Sequence, residues 1–361
     1  MSAPKTRLIV VFGGRSAEHD VSCVTARHVL AAADPSKYLV EPVGITRDGA
    51  WVRADDAIAE LQAGADELPE ALKPVGSHFA LLPEVQQSAI EGEPVVVLPL
   101  LHGPLGEDGT MQGLLELADV PYVGCGVLSS AITMDKIKAK ETAAYHGIAQ
   151  AEWRGFHVSE IDQTTPQRLL DELGSPLFVK PANMGSSIGV SRAITSADLS
   201  DALALAGTYD EWIVVEEGIE GREIELAVLG NRNVEVSVPG EILPTDDFYS
   251  YSDKYHDGTA GNAIPADLPA DAAAEVRDLA QQAYRALRCE GMARADFFYE
   301  DPTSGGRGWL LNELNTIPGF TPISMYPKLW EASGLSYPDL IDRLVGLALE
   351  RHARQRRRTD Y

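Results

Sequence analysis

A chain of 361 residues that is 45% hydrophobic has room for two or three domains whose cores need no covalent staples. Its 54 acidic against 30 basic residues, a net charge of −24, argue against nucleic acid or an anionic membrane as partner, so a phosphate ligand has to be met by local cations or metal ions. Cys23, Cys125 and Cys289 are odd in number, far apart and without C-x-x-C spacing, which excludes a zinc or dithiol motif and fits a reducing cytoplasm.

The first apolar run, Leu8 to Phe12, is too short for a signal peptide or a membrane span and reads as an opening strand. With β-rich runs at 39–46 and 94–100 and helical patterns between them, it predicts an open parallel α/β unit over 1–126. Residues 54–92, acidic and alanine-rich with Pro69, Pro74 and Pro83, read as a peripheral insertion on that unit. Ser129 or Ser130 can cap a helix through Met134, Asp135 and Lys136 to His146, with Gly147 as its stop, and this opens a second unit over 127–220. Strands at 151–158, 176–180, 188–192 and 212–216, with helices near 165–173 and 196–206, make that unit a compact α+β block. A third unit, 221–361, carries strands at 222–229, 234–238, 292–299 and 308–314, an aromatic polar loop at 245–262, and helices near 271–287 and 337–353. The basic run "RHARQRRR", residues 351–358, reads as the solvated end of the last helix, where cations favour the helix dipole.

Three stretches carry chemistry. In "FVKPANMGSSIGVSR", residues 178–192, glycine-freed N–H groups, serine hydroxyls and Lys180 suit phosphate oxygens. The lysine precedes the glycines and Ile188 and Val190 read as continuing strand, so this is no Walker loop, and a plain Gly/Ser turn stands as the alternative. In "ARADFFYEDPTSGGRGWLLNELN", residues 293–315, a hairpin puts Glu313 and Asn315 on one face, with Asp296 across from them and Arg294 beside it. Two carboxylates and an amide oxygen suit Mg²⁺, while a surface strand pair with a polar outer face is the other reading. In "VVEEGIEGREIELAVLG", residues 214–230, Glu216 and Glu223 either meet an adenine amino group and a ribose hydroxyl or decorate an ordinary hairpin edge.

Taken in order, and together with "FGGRSAEHDVS", "LHGPLGEDGTMQG" and "NELNTIPGFT", these motifs resemble the ATP-grasp ligases, and among them the D-alanine–D-alanine ligases. The resemblance covers nearly the whole chain outside 54–92. It implies an α/β and α+β multi-domain chain, an ATP-grasp fold behind an N-terminal open parallel α/β domain. It further implies that Lys136 and Lys180 contact ATP phosphates, that Ser186 and Ser187 close over the γ-phosphate, and that Glu216 and Glu223 take adenine and ribose. Asp296, Glu313 and Asn315 would hold two Mg²⁺ or Mn²⁺ ions, and a monovalent cation is compatible with the family. Glu18 and His102 match the pocket of the first D-alanine, and Ser324 and Met325 match the segment that receives the carboxylate of the second. Tyr249, Lys254 and Tyr255 match a mobile covering loop, and Arg294 and the Gly319 N–H match the oxyanion contacts. Where the family often has a charged pair, this loop has Asn183 and Met184. A homodimer is implied as well. A related ligase that makes an ester with D-lactate is the near alternative, against which Tyr255 favours the peptide. A dinucleotide-binding oxidoreductase is disfavoured because "VFGGRSAE" lacks G-x-G-x-x-G, and a nucleotide-binding regulator without turnover is expected to lack part of the metal set.

Overall fold

In the computed structural model, which describes residues 5–57, 71–243 and 261–355, the early apolar runs become strands of one sheet. β1 (Thr6–Gly13) pairs in parallel with β2 (Tyr38–Ile45) and β4 (Val95–Pro99), and β3 (Trp51–Arg53) adds an antiparallel edge, in the order β3-β2-β1-β4. Both faces of β1 are covered, which is why Leu8 to Phe12 form an unbroken apolar run. Leu8, Val10 and Phe12 meet α1 (His19–Ala32), while Ile9 and Val11 meet α2 (Leu81–Glu91) and α3 (Thr110–Leu117) on the other side.

For its described residues, 54–57 and 71–92, that second face corrects the reading of 54–92 as peripheral. Leu72 joins the core with α1, and Phe79, Leu81 and Val85 fill the opposite side, so α2 is an integral crossover helix leading to β4. Widely spaced apolar residues between prolines concealed it. Pro83 falls in the first turn of α2, where a missing N–H breaks no intrahelical bond.

The expected single helix of the second unit is two. α4 (Val127–Met134) stops and α5 (Lys136–Tyr145) starts across Asp135, whose side chain caps α5 by accepting the Lys138 N–H at 3.1 Å. Lys136 is thereby placed at the first turn of α5, its N–H donating to the Ala182 carbonyl at 3.0 Å. The following sheet is antiparallel throughout, in the order β5 (Trp153–His157), β8 (Trp212–Glu217), β6 (Leu177–Pro181), β7 (Ser191–Ala193). α6 (Thr165–Leu173) and α7 (Ser196–Ala206) cover one face of it, α7 starting from a capping box of Thr195 and Asp198. β7 begins at Ser191, so the strand expected from Ile188 is instead turn. Left-handed backbone at Ser186, Ser187 and Gly189 (φ 49°, 58° and 71°) bends the chain out of the extended path.

The third unit is built on β9 (Arg222–Gly230), with β10 (Glu235–Val236) and β11 (Gly240–Leu243) on one side and β13 (Gly291–Glu300) on the other. β12 (Gly261–Ala263) and β14 (Gly308–Asn315) complete the sheet. α8 (Ala270–Ala286) packs Val276, Ala280, Ala283 and Tyr284 on Ala293, Ala295 and Phe297. α9 (Met325–Ala332) and α10 (Tyr337–Arg354) lie in the same apolar cluster as β1 and α1, which ties the last helices to the first strand.

The end of α10 departs from the solvated helix end expected of the basic run. Arg351 is 2% exposed, and its guanidinium lies 4.1 Å over the Tyr122 ring, donates to the Tyr122 carbonyl at 2.8 Å and also bonds the Gly124 carbonyl. Arg354 pairs with Glu290, and residues 356–358 lie outside the described residues. Two buried carbonyls and a ring face therefore depend on one side chain. Replacing Arg351 with alanine is expected to lower stability by about 2–4 kcal/mol, read as a shift of the urea midpoint, with Arg351→Lys recovering only part. A midpoint unchanged in the alanine variant would show that this contact does not hold α10 in place.

Candidate active site

Side-chain alternation along three paired strands builds the acidic wall. β13 pairs Arg294 with Asn315 and Asp296 with Glu313, and on its other edge Asp296 faces Glu225 and Phe298 faces Glu223. Between Asp296 and Phe297 the register with β14 slips by one residue, so that Asn312 is the extra residue of a β-bulge. The bulge resets the alternation: Leu311 is core, and Glu313 and Asn315 still face the cleft. Asn315 Nδ2 lies 3.0 Å from Asp296 Oδ2. Arg294 grips the same carboxylate with a fork at 2.7 and 2.6 Å and reaches Glu225 at 3.1 Å. Burial opposes the charge on Arg294, but Asp296 and Glu225 outweigh it and hold its pKa well above the usual value.

The opposite wall is cationic. On β6, Phe178 and Lys180 face the cleft while Leu177 and Val179 are buried. Lys180 Nζ donates to Glu216 Oε2 at 2.8 Å, and Lys140 Nζ stands 3.2 Å from the other oxygen of that carboxylate. Burial would push Glu216 up, yet the two ammonium groups outweigh it and bring its carboxyl down to about 2. Lys136, lowered by burial and by the charge of Lys180, donates to the Met184 carbonyl at 2.7 Å. Asn183 anchors the base of the same loop, giving its N–H and its side-chain amide to Asp210 at 2.8 and 2.9 Å. Lys136, Lys180, Ser186, Ser187, Glu216, Glu223, Glu313 and Asn315, expected together from the sequence, line one cavity.

Next to that cavity, the Ser186 hydroxyl donates to Glu18, which stands just before α1. Glu18 is 6% exposed and nests between two glycines: a Cβ would lie 2.9 Å from Oε2 at Gly103 and 3.1 Å at Gly185. His102 Nδ1 donates to the Ile317 carbonyl at 3.0 Å, and its buried Nε2 has no hydrogen-bond partner among the described residues. Gly319 abuts Ser324, whose Oγ accepts the Thr321 N–H at 3.1 Å at the entrance to α9. The Met325 side chain is buried in the core, so its N–H, in the first turn of α9, is what it offers a ligand. Glu18, His102, Arg294, Asp296, Gly319, Ser324 and Met325 do not line that cavity itself. Tyr249, Lys254 and Tyr255 lie outside the described residues.

Three site residues escaped the sequence reading. Glu107 accepts from the Gly103 N–H at 2.6 Å and the Ile317 N–H at 3.1 Å and lines the cavity. Burial and then the charge of Glu18 push its carboxyl up to about 8, against the pull of those two N–H groups. Glu225 shares the face of Glu223 by period two, and Lys140 follows Lys136 by one helical turn. Both spacings were readable in principle. Among the described residues no three His, Cys, Asp or Glu side chains cluster as a metal site. The fit of Asp296, Glu313 and Asn315 to divalent cations rests on their all-oxygen donors, with the Asn315 amide turned to present Oδ1, and on Arg294 standing as countercation.

Two family models match in succession: the D-ala D-ala ligase N-terminus over residues 7–125 and the D-ala D-ala ligase C-terminus over 143–346. The D-alanine–D-alanine ligase of Bacillus pumilus is 44% identical over 355 residues, 96% of this chain and 97% of that protein. The solved structure of the D-alanine–D-alanine ligase from Coxiella burnetii superposes with a TM-score of 0.80 at 34% identity, covering 98% of this chain and 96% of that one. That of the Bacillus anthracis enzyme, complexed with ATP, gives 0.72 at 27% identity over 97% and 99%. Agreement of sequence and fold over nearly the full length shows that this chain, with its ATP-grasp architecture, belongs to the D-alanine–D-alanine ligase family.

Proposed function

We propose that the cleft joins two D-alanine molecules into D-alanyl-D-alanine, a peptidoglycan building block, converting one ATP to ADP and phosphate for each bond. The observation that supports this most directly is the Glu18–Ser186 hydrogen bond, between residues 168 positions apart. It sets a buried carboxylate fit for an ammonium against the loop that meets the phosphates.

Lys136 and Lys180 take the triphosphate, and Glu216 and Glu223 take the adenine amino group and the ribose. Asp296, Glu313 and Asn315 would hold two Mg²⁺ ions, which when bound neutralise phosphate oxygens and orient the γ-phosphate. The first D-alanine sets its ammonium on Glu18 beside His102, and its carboxylate oxygen bonds to the γ-phosphorus as the bond to ADP breaks. The product is an acyl phosphate. The second D-alanine lays its carboxylate against Ser324 and the Met325 N–H, and its deprotonated amine attacks the acyl carbon. Arg294 and the Gly319 N–H stabilise the oxyanion until phosphate leaves. Water would hydrolyse the acyl phosphate, so the Ser186–Ser187 loop closes over it together with the segment carrying Tyr249, Lys254 and Tyr255. The same reading includes a homodimer and a cytoplasmic location. No helix among the described residues is long and apolar enough to cross a membrane.

Incubation with ATP, Mg²⁺ and D-alanine, L-alanine or a mixture of D-alanine and D-lactate, with products identified by mass, tests the assignment. The dipeptide from D-alanine alone is expected, and an ester as the main product of the mixture would overturn the peptide reading. Glu313→Gln nearly preserves shape but removes a charge from the metal face, so turnover should fall at least about 100-fold with folding intact. Near-normal turnover at saturating Mg²⁺ would remove Glu313 from the metal set. Glu18→Gln should raise the KM for the first D-alanine by about 10- to 100-fold and leave ATP binding nearly unchanged. The reverse pattern would move Glu18 out of the amino-acid pocket.

A further inference from the structure

Lys140 lies one turn beyond Lys136 on α5 but, unlike Lys136, does not line the cleft. It is 4% exposed, and its ammonium faces Glu216 Oε1 at 3.2 Å. It makes no further side-chain hydrogen bond among the described residues. Lys180 holds the other oxygen of the same carboxylate at 2.8 Å from the cleft side. Glu216 is thus sandwiched between two cations, only one of which can meet a ligand. A buried ammonium is costly unless paired, and its neighbours Ile137 and Ala143 on α5 are apolar, so the sandwich calls for an explanation.

We propose that Lys140 is a positioning residue that keeps Glu216 paired and oriented when Lys180 leaves it for the nucleotide phosphates. This rests on the proposed assignment of Lys180 to phosphate and Glu216 to adenine. Drawing Lys180 toward a triphosphate strips one cation from a carboxylate that is 5% exposed. With Lys140 on Oε1 the carboxylate keeps a partner, and Lys180 is free to move. Without Lys140 a buried, unpaired carboxylate would be left behind, so Lys180 stays on Glu216 and the phosphates lose a cation. The lowered pKa of Glu216 agrees with a carboxylate held ionised from two sides. An ionised carboxylate only accepts hydrogen bonds, which suits the 6-amino group of adenine and rejects the 6-oxo group of hypoxanthine.

The test measures competitive inhibition by ADP and by adenosine in the wild type, K140M, E216Q and K140M/E216Q, each first checked by thermal unfolding. K140M should weaken ADP by about tenfold or more and leave adenosine within about twofold, because only ADP requires Lys180 to be released. The double variant should bind ADP as E216Q does, since without the carboxylate charge Lys140 has nothing to hold. Equal loss of ADP and adenosine in K140M, or a double variant about tenfold weaker for ADP than E216Q, makes Lys140 a packing residue and overturns the proposal. Should K140M fail to fold, the double variant against E216Q decides in the same two directions. Comparing ATP with inosine triphosphate in E216Q separates the two readings: an unchanged base preference removes Glu216 from adenine recognition and leaves the Lys140 comparison standing.

Discussion

Alternation of side chains across β9, β13 and β14 is the constraint on which the site depends. One sheet has to be apolar toward α8 and acidic toward the cleft, and in a paired strand those demands are met by successive residues. Ala293, Ala295 and Phe297 go to the core while Arg294 and Asp296 go to the opposite face, where they pair with each other. β14 could not satisfy both with regular pairing, because Leu311 and Glu313 are two apart and would share a face. The extra residue, Asn312, lets core and site coexist on a single strand.

The loop around Ser186 and Ser187 shows how such a site stores strain. Ser186 and Ser187 both adopt left-handed backbone, unusual for residues other than glycine and unfavourable by about 1–3 kcal/mol each. Contacts from three directions hold that conformation: Glu18 on the Ser186 hydroxyl, Lys136 on the Met184 carbonyl and Asp210 on Asn183. Each anchor comes from a different part of the chain. The loop's shape is therefore a property of the assembled molecule more than of its own glycines and serines.

That distinction also explains what could be read in the sequence. Strands with strong period-two or unbroken apolar patterns were legible to within a few residues, as were the helices at 165–173, 196–206 and 271–287. That Asp296, Glu313 and Asn315 come together was legible because pairing two strands is a local inference. Missed features are those that only the folded chain defines. α2 reads, with the acidic, proline-bearing stretch before it, as a peripheral insertion, because the sheet its apolar residues meet comes from distant strands. Asp135 breaks a helix whose periodicity runs on through it, in favour of the Lys136 bond to Ala182. Arg351 looked like one more cation of a charged tail because Tyr122 and Gly124, its acceptors, are more than two hundred positions away. Glu107 escaped notice because burial and its bonds to the Gly103 and Ile317 N–H groups, not residue type, make it part of the site, whereas Lys140 and Glu225 could have been reached from their spacing to Lys136 and Glu223.

Gly185 owes its lack of a side chain to a residue outside its own loop. Its φ is not in the left-handed region, so the backbone alone would admit alanine, and the obstacle is the carboxylate of Glu18. Positions 18, 103 and 185 thus pack as one contact across two modules: a Cβ at either glycine would press on the end of the Glu18 side chain, and Gly103 is fixed besides by its left-handed backbone. Exchanging the loop or the N-terminal module between relatives should succeed only when all three positions travel together.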